Sequence, residues 1–320
     1  MAQADGQGTL CELMTNNQNS AEIAKLKVVP LPHPFRLAAI IVVMSLVAFA
    51  VRSASSNPKL QWPIASSYLF NPLIMNGLLV TLIVTAIVMV IAVFIGTISA
   101  LMILSPSRLL SMPAKVFVWL FRGTPALVQL ILWYNLALIV PRFEIWLPGI
   151  GTLFSISTND VMSPIVAAIV GLSLHESGYM AEIIRNGLQS VNYGQREAAL
   201  CLGMKPSLLM RRVIIPQAMR VIIPPTGNET INLLKTTSLV SVVAVGDLLY
   251  SAQSIYARTF ETIPLLLVVT FWYLAVVAIM SVGQFYLERH FSRNDAGHQS
   301  EKTLGKKIKN IFFVRRRIMN

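Results

Sequence analysis

Charge is what this chain has least of: Asp, Glu, Lys and Arg make up 12% of its 320 residues, against roughly a quarter in an ordinary soluble domain. The shortage is uneven. From Leu60 through Ser107, and again from Thr262 through Leu287, there is no charged residue at all, a pattern that excludes most soluble folds. Cysteine is nearly absent: Cys11 lies in a polar start and Cys201 in a basic, helix-like stretch, so neither a disulfide framework nor a metal site is indicated. The four histidines, His33, His175, His290 and His298, are scattered, and no nucleophile–base or metal-ligand grouping stands out. The start, MAQADGQGTLCELMTNNQNS, lacks the basic n-region and adjacent apolar stretch of a cleavable signal peptide, so the first apolar segment is expected to be retained. A phosphate-cradling Gly-x-x-x-x-Gly-Lys-[Ser/Thr] loop is missing too. Its only Gly-Lys pair, Gly305-Lys306, is followed by Lys307 and has Ser300 where the first glycine should stand. No ATP hydrolysis by this chain alone is expected, and no cofactor or metal.

What is abundant is apolar: 55% of the chain. About 20 apolar residues in a helix cross the hydrocarbon, because every backbone polar group must then be paired within the segment. Six segments qualify or nearly so, near residues 35–52, 75–101, 117–140, 163–184, 222–242 and 263–287. The expectation is an all-α integral membrane protein with about six transmembrane helices and no soluble domain. Six spans put both termini on one side. That side carries twenty Lys and Arg and the opposite loops only four, Arg52, Lys59, Arg142 and Arg258, so it is expected to be cytoplasmic. The net charge of +12 is then a by-product of topology, and nucleic acid is not an expected partner. The basic stretch at the C-terminus, EKTLGKKIKNIFFVRRRIMN, either rests on anionic lipid headgroups or only fixes topology.

Between the fourth and fifth segments, GQREAALCLGMKPSLLMRRVIIPQAMR, from Gly194 to Arg220, has the punctuation of two short helices with a sharp turn. Gln195 to Leu202 forms the first. Gly203 suits the left-handed position that follows it, Pro206 the first position of the next helix, and Pro216 ends that helix or kinks its return into the membrane. This stretch resembles the cytoplasmic loop of the membrane permeases of ATP-binding-cassette (ABC) importers, in the branch serving histidine, arginine, glutamine, glutamate and opines. Glu197-Ala198-Ala199, three residues, Gly203, nine residues, then Val213-Ile214-Ile215-Pro216 follow that family's pattern, with Val and Ile replacing its Ile and Leu. Asn76-Gly77 to Thr81, Arg122-Gly123-Thr124-Pro125 with Leu127-Val128-Gln129, HESGYMAEIIRNGL from His175 to Leu188, and Asn228 to Ser238 extend the likeness in order along the chain. An extra first span and a long basic tail depart from it.

The resemblance implies a permease subunit of a bacterial cytoplasmic (inner) membrane importer for a polar amino acid, multi-pass, with both termini cytoplasmic. Residues 1–34 would be a cytoplasmic tail, 35–60 the extra helix and the start of an external loop, 61–288 the transmembrane domain with its coupling loop at 194–220, and 289–320 the basic tail. Glu197, Ala198, Ala199, Gly203 and Pro216 would couple to a cytoplasmic ABC ATPase that binds ATP and Mg. A second permease copy or a related chain, an external solute-binding protein and membrane lipid complete the implied partners. A charge at membrane depth costs on the order of 3 kcal/mol, so ionisable groups there line a cavity or pair. His175, Glu176, Tyr179 and Glu182 on the fourth span, and Asn228 and Asn232 on the fifth, are candidate pathway residues. Arg122, Glu229 and Lys235 are candidates for the pathway or for ion pairs that hold helices together, and Glu182 could itself pair with Arg122 or Arg185. Two other classes stand beside this reading: an ion-coupled secondary transporter of amino acids, and a scaffold that only recruits a cytoplasmic partner.

Overall fold

The structure, a computed structural model, describes residues 34–147 and 151–292. Cys11, His33, His298 and the tail segments at 1–33 and 293–320 lie outside it. The chain divides between Pro58 and Lys59 into two compact units. In the first, α1 (Pro34–Ser56) is apolar on every side, as a helix dissolved in lipid must be.

The second unit is built on two long helices. Asn71 caps α3 (Pro72–Ile103), accepting from Leu73 N at 2.9 Å, and Pro72 occupies a first-turn position where its missing N–H costs nothing. A short α2 (Trp62–Tyr68) precedes it. The buried face of α3, with Val84, Val88, Ala92, Gly96 and Ala100, recurs every three or four residues and packs on α7 (Pro164–Gln189). Small residues allow this approach. A Cβ on Gly96 would stand 2.7 Å from Met180 Cβ and 2.9 Å from the Ala181 nitrogen, so the two backbones nearly touch.

Between them run α4 (Arg108–Gly123) and α5 (Ala126–Tyr134), then an antiparallel hairpin of β1 (Arg142–Leu147) and β2 (Gly151–Ser157), which pairs Arg142 with Ser157. Thr158, opening α6 (Thr158–Val161), bonds Val140 and Pro141 and closes the hairpin base. After α7 come α8 (Tyr193–Cys201), α9 (Pro206–Leu209), a π turn (Met210–Ile214), α10 (Ile215–Thr236), a 3-10 stretch (Thr237–Val243), α11 (Leu248–Thr259) and α12 (Thr262–Ser292).

Three described helices, α1, α3 and α12, are long and apolar enough to cross a membrane, and five spans result if two bent pairs each count as one. The third expected span is not a rod: α4 and α5 meet at 102°. Nor is the fifth, which bends by 44° between the 3-10 stretch and α11. The fourth, α7, has 26 residues and so about 39 Å of length, but it carries Glu176, Glu182 and Arg185. It is flanked by α3, α4, α5 and α10, so protein meets its polar side. The two-stranded hairpin is an addition to the all-α expectation.

The α3–α7 contact predicts a sharp asymmetry between glycines. Gly96→Val should destabilise the purified protein by about 2 kcal/mol, read as a fall in melting temperature in detergent. Gly283→Ala, whose Cβ meets nothing within 4 Å, should leave it unchanged or slightly raised.

Candidate functional site: a polar helix pair and a helical hairpin

The bend between α4 and α5 is written in Thr124-Pro125. Pro125 has no N–H to continue the helix, and Thr124 takes the extended backbone preferred before proline (φ −111°, ψ 142°). The carbonyls so freed have no water to turn to inside a membrane. Gln129, 5% exposed, supplies the donor: its Nε2 reaches Phe121 O at 2.8 Å, Thr124 O at 3.1 Å and Thr124 Oγ1 at 2.6 Å. Gln129 Nε2 also lies 3.2 Å from His175 Nδ1, which ties the bend to α7. Sequence reasoning placed Gln129 in a family signature without seeing this role; a Gln four residues after a mid-span proline was the available signal.

Along α7, His175 and Tyr179 lie with ring centroids 5.3 Å apart and planes tilted by 56°, the guanidinium of Arg122 on α4 lies 5.1 Å from the centre of the Tyr179 ring, and Glu182 follows about one turn on. Glu182 is shared between Arg185 (2.6 Å) and Arg122 (3.7 Å), so the pairing alternative considered for Glu182 is the observed geometry. Gly178 makes room for it, since a Cβ there would come 2.8 Å from Arg122 Cγ. Lys115, Trp119, Arg122, Tyr179, Glu182 and Arg185 line a cavity of about 540 Å³ between α4 and α7.

Glu176 points elsewhere. It is 3% exposed, its carboxyl meets that of Glu229 on α10, and its Oε1 has no partner. Two acids set against each other in a low dielectric either share a proton or take up a cationic group between them. Asn228, Asn232 and Lys235 share an open face of α10 and are exposed; the structure does not bring them to this cluster. Lys235 and Glu229 form no ion pair among the described residues, where the pairs are Arg122–Glu182, Arg185–Glu182 and Arg142–Glu144.

At one end of α7 and α10 the chain makes its helical hairpin. Asn192 caps α8 through Gly194 N (2.8 Å). Gly203 takes φ +73°, and the bond from Met204 N to Ala199 O (3.1 Å) closes the turn. Pro206 opens α9. Glu197 and Ala198 face outward while Ala199 is buried under the hairpin. Leu200 and Leu202, 53% and 82% exposed, were not singled out from the sequence, although two leucines on a polar hairpin were a visible signal. Pro216 does not end the second helix, the first of the two outcomes expected for it: helical structure runs on from Pro206 through it. The π turn widens the ladder just before it, with Ile215 N reaching back to Met210 O, so the proline ring fits in the first turn of α10.

No group of three or more His, Cys, Asp or Glu suited to a metal occurs among the described residues. Polar residues packed between apolar helices, two bent helix pairs and a terminal helical hairpin suit a membrane transport subunit. Residues 92–293 match the family described as "Binding-protein-dependent transport system inner membrane component". The arginine transport system permease protein ArgU of Corynebacterium glutamicum is 41% identical over 276 residues, 86% of each chain. The glutamate/aspartate import permease protein GltK of Escherichia coli is 35% identical over 218 residues, covering 68% of this chain and 93% of its own. Among solved structures, that of an amino acid ABC transporter with histidines superposes with TM-score 0.60 at 34% identity, over 70% of this chain and 97% of the other. The inward-facing methionine transporter MetNI, 19% identical with TM-score 0.53, shares the fold. The chain belongs to this permease family, within the polar amino-acid ABC transporters: an inner-membrane, multi-pass transport subunit that is not itself an ATPase.

The repair of the bend is open to measurement. Gln129→Leu leaves the Phe121 and Thr124 carbonyls without their donor, which should cost about 1–3 kcal/mol and lower the melting temperature in detergent. Gln129→Asn, one methylene short, should fall between it and the wild type.

Proposed function

We propose that this chain forms the translocation path of an ATP-driven importer of a polar amino acid, with ATP and Mg held by a separate cytoplasmic ATPase that grips the α8–α9 hairpin. The observation that carries this reading is the division of α8 into two faces. Glu197 and Ala198 look outward from a helix whose other face, at Ala199, is locked into the protein. Small Ala198 permits close approach, Glu197 offers a charge, and exposed Leu200 and Leu202 give a partner groove something apolar to hold. The lysine and arginine asymmetry supports a cytoplasmic hairpin and cytoplasmic termini.

Two copies, or one copy and a related chain, surround the pathway, and an external solute-binding protein delivers the substrate. Nucleotide-driven closure of the ATPases draws the hairpins together and rocks the spans between inward-open and outward-open forms. His175, Glu176, Tyr179, Asn228 and Asn232 line the pathway; Arg122 and Glu182 hold α4 to α7 at its side. The carboxyl groups of Glu176 and Glu229 favour a substrate with a cationic group. Arginine, the substrate in the name of the Corynebacterium relative, has that chemistry.

Glu197→Lys should abolish ATP-dependent uptake in reconstituted proteoliposomes while the protein still accumulates in the membrane. Gly203→Val, forced into a left-handed backbone, should do likewise; wild-type rates in both would sink the docking role. Glu176→Gln should lower uptake of a cationic amino acid about tenfold or more relative to that of a neutral one. Uptake driven by an ion gradient in vesicles without any ATPase would instead establish a secondary transporter.

A further inference from the structure

The hairpin is joined to the rest of the molecule by few polar contacts, and they run to two different helices. Arg196, the residue before Glu197, donates from Nη2 to the carbonyl of Leu188 at 2.7 Å. Leu188 lies in the last turn of α7, where carbonyls have no helical partner and a cation meets the negative end of the helix dipole. On the other side, Gln217 Nε2 donates to Gln195 Oε1 at 2.5 Å and to Val213 O at 3.0 Å. Gln217 stands in the first turn of α10, immediately after the π turn. Beneath both contacts, Ala199 belongs to the same apolar cluster as Leu188, Val191, Leu209 and Ile214.

We propose that Arg196 and the Gln195–Gln217 pair are positioning residues that carry hairpin movement separately into α7 and α10, the helices whose carboxyls Glu176 and Glu229 meet in the bundle. This rests on the reading of α8 as the ATPase-docking element. The geometry suits a strut better than an ornament. Each contact is a polar, directional link at a helix end, so a shift of α8 displaces a helix along a defined line. The Arg196 Nε is buried without a partner, so the side chain is held by its single bond to Leu188 O. The π turn beside Gln217 is a wide, less regular turn through which the α10 end can yield without melting the helix.

The test uses the complete importer, with its ATPase and binding protein, in proteoliposomes, reading both ATP hydrolysis and amino-acid uptake. In Arg196→Met combined with Gln217→Leu, the ATPase should co-purify in wild-type amount and hydrolyse ATP at a near wild-type rate, while uptake per ATP falls about fivefold or more. Arg196→Lys, which can still donate to Leu188 O, should restore part of that ratio, and Arg108→Ala, exposed at the start of α4 and outside the hairpin and the π turn, should leave it unchanged. An unchanged ratio in the double variant overturns the proposal. So does loss of the ATPase from that variant, which would make Arg196 or Gln217 a docking residue. A wild-type complex that retains no ATPase removes the docking reading first, and the struts with it. Should Arg196→Met fail to accumulate, Gln217→Leu alone carries the same comparison, with the same two results deciding it.

Discussion

A backbone carbonyl released inside hydrocarbon has no water to accept from, and this bundle breaks its own helices in several places. Everything that makes it more than a set of rods depends on mending those breaks from within. At Thr124-Pro125 the donor is Gln129. At the second break, after Val243, the backbone turns through Ala244 at φ +58°, and α11 restarts under Asp247, whose carboxylate accepts from Leu249 N and Tyr250 N. Leu248 N finds Thr81 Oγ1 on α3 at 3.0 Å, and Thr81 passes its own proton to Gly77 O. Where tandem prolines interrupt α10, Gln284 of α12 donates to Pro224 O at 2.7 Å. At each of these places a side chain bonds a backbone group at or beside the irregularity: Gln129 and Asp247 act from within a few residues, while Thr81 and Gln284 reach across from helices remote in sequence and stitch neighbouring helices together.

The charged groups obey the same rule with a higher penalty. Glu182 is half-buried and satisfied twice over by Arg122 and Arg185, and Tyr179 offers its ring face to the same guanidinium. Glu176 is the contrast, more deeply buried and set against another acid. Two acidic residues six positions apart on one helix therefore differ in their surroundings, one paired with the arginines at the α4–α7 contact, the other set against a second acid.

Much of this was legible in residue order. Gly203 and Pro206 gave the hairpin turn, because left-handed backbone and a first-turn position are demands that few residues meet. Arg122, His175, Tyr179 and Glu182 could be placed on meeting faces because helical period is rigid. The bends were not legible as angles. Thr124-Pro125 announces a break, but whether the chain runs on or turns by 102° depends on what α7 offers at Gly178 and His175, some fifty residues away. Pro216 misled for a related reason: proline forbids a regular ladder, and the sequence does not say that a π turn will relieve the clash. The bond from Leu248 N to Thr81 Oγ1 was not legible at all, since the two residues are brought together only by folding.

These mends also set what can move. Where α3 and α7 approach through Gly96 the two backbones nearly touch, a close contact that favours movement of the pair as a body. On α10, by contrast, irregular turns lie at both ends, the π turn at Met210–Ile214 and the 3-10 stretch at Thr237–Val243, each giving way more readily than a regular helix. A push delivered at the hairpin would therefore reach α7 as rigid displacement and α10 as displacement plus bending. Glu176 and Glu229 ride one on each helix, so unequal motion of the two would open or close their contact.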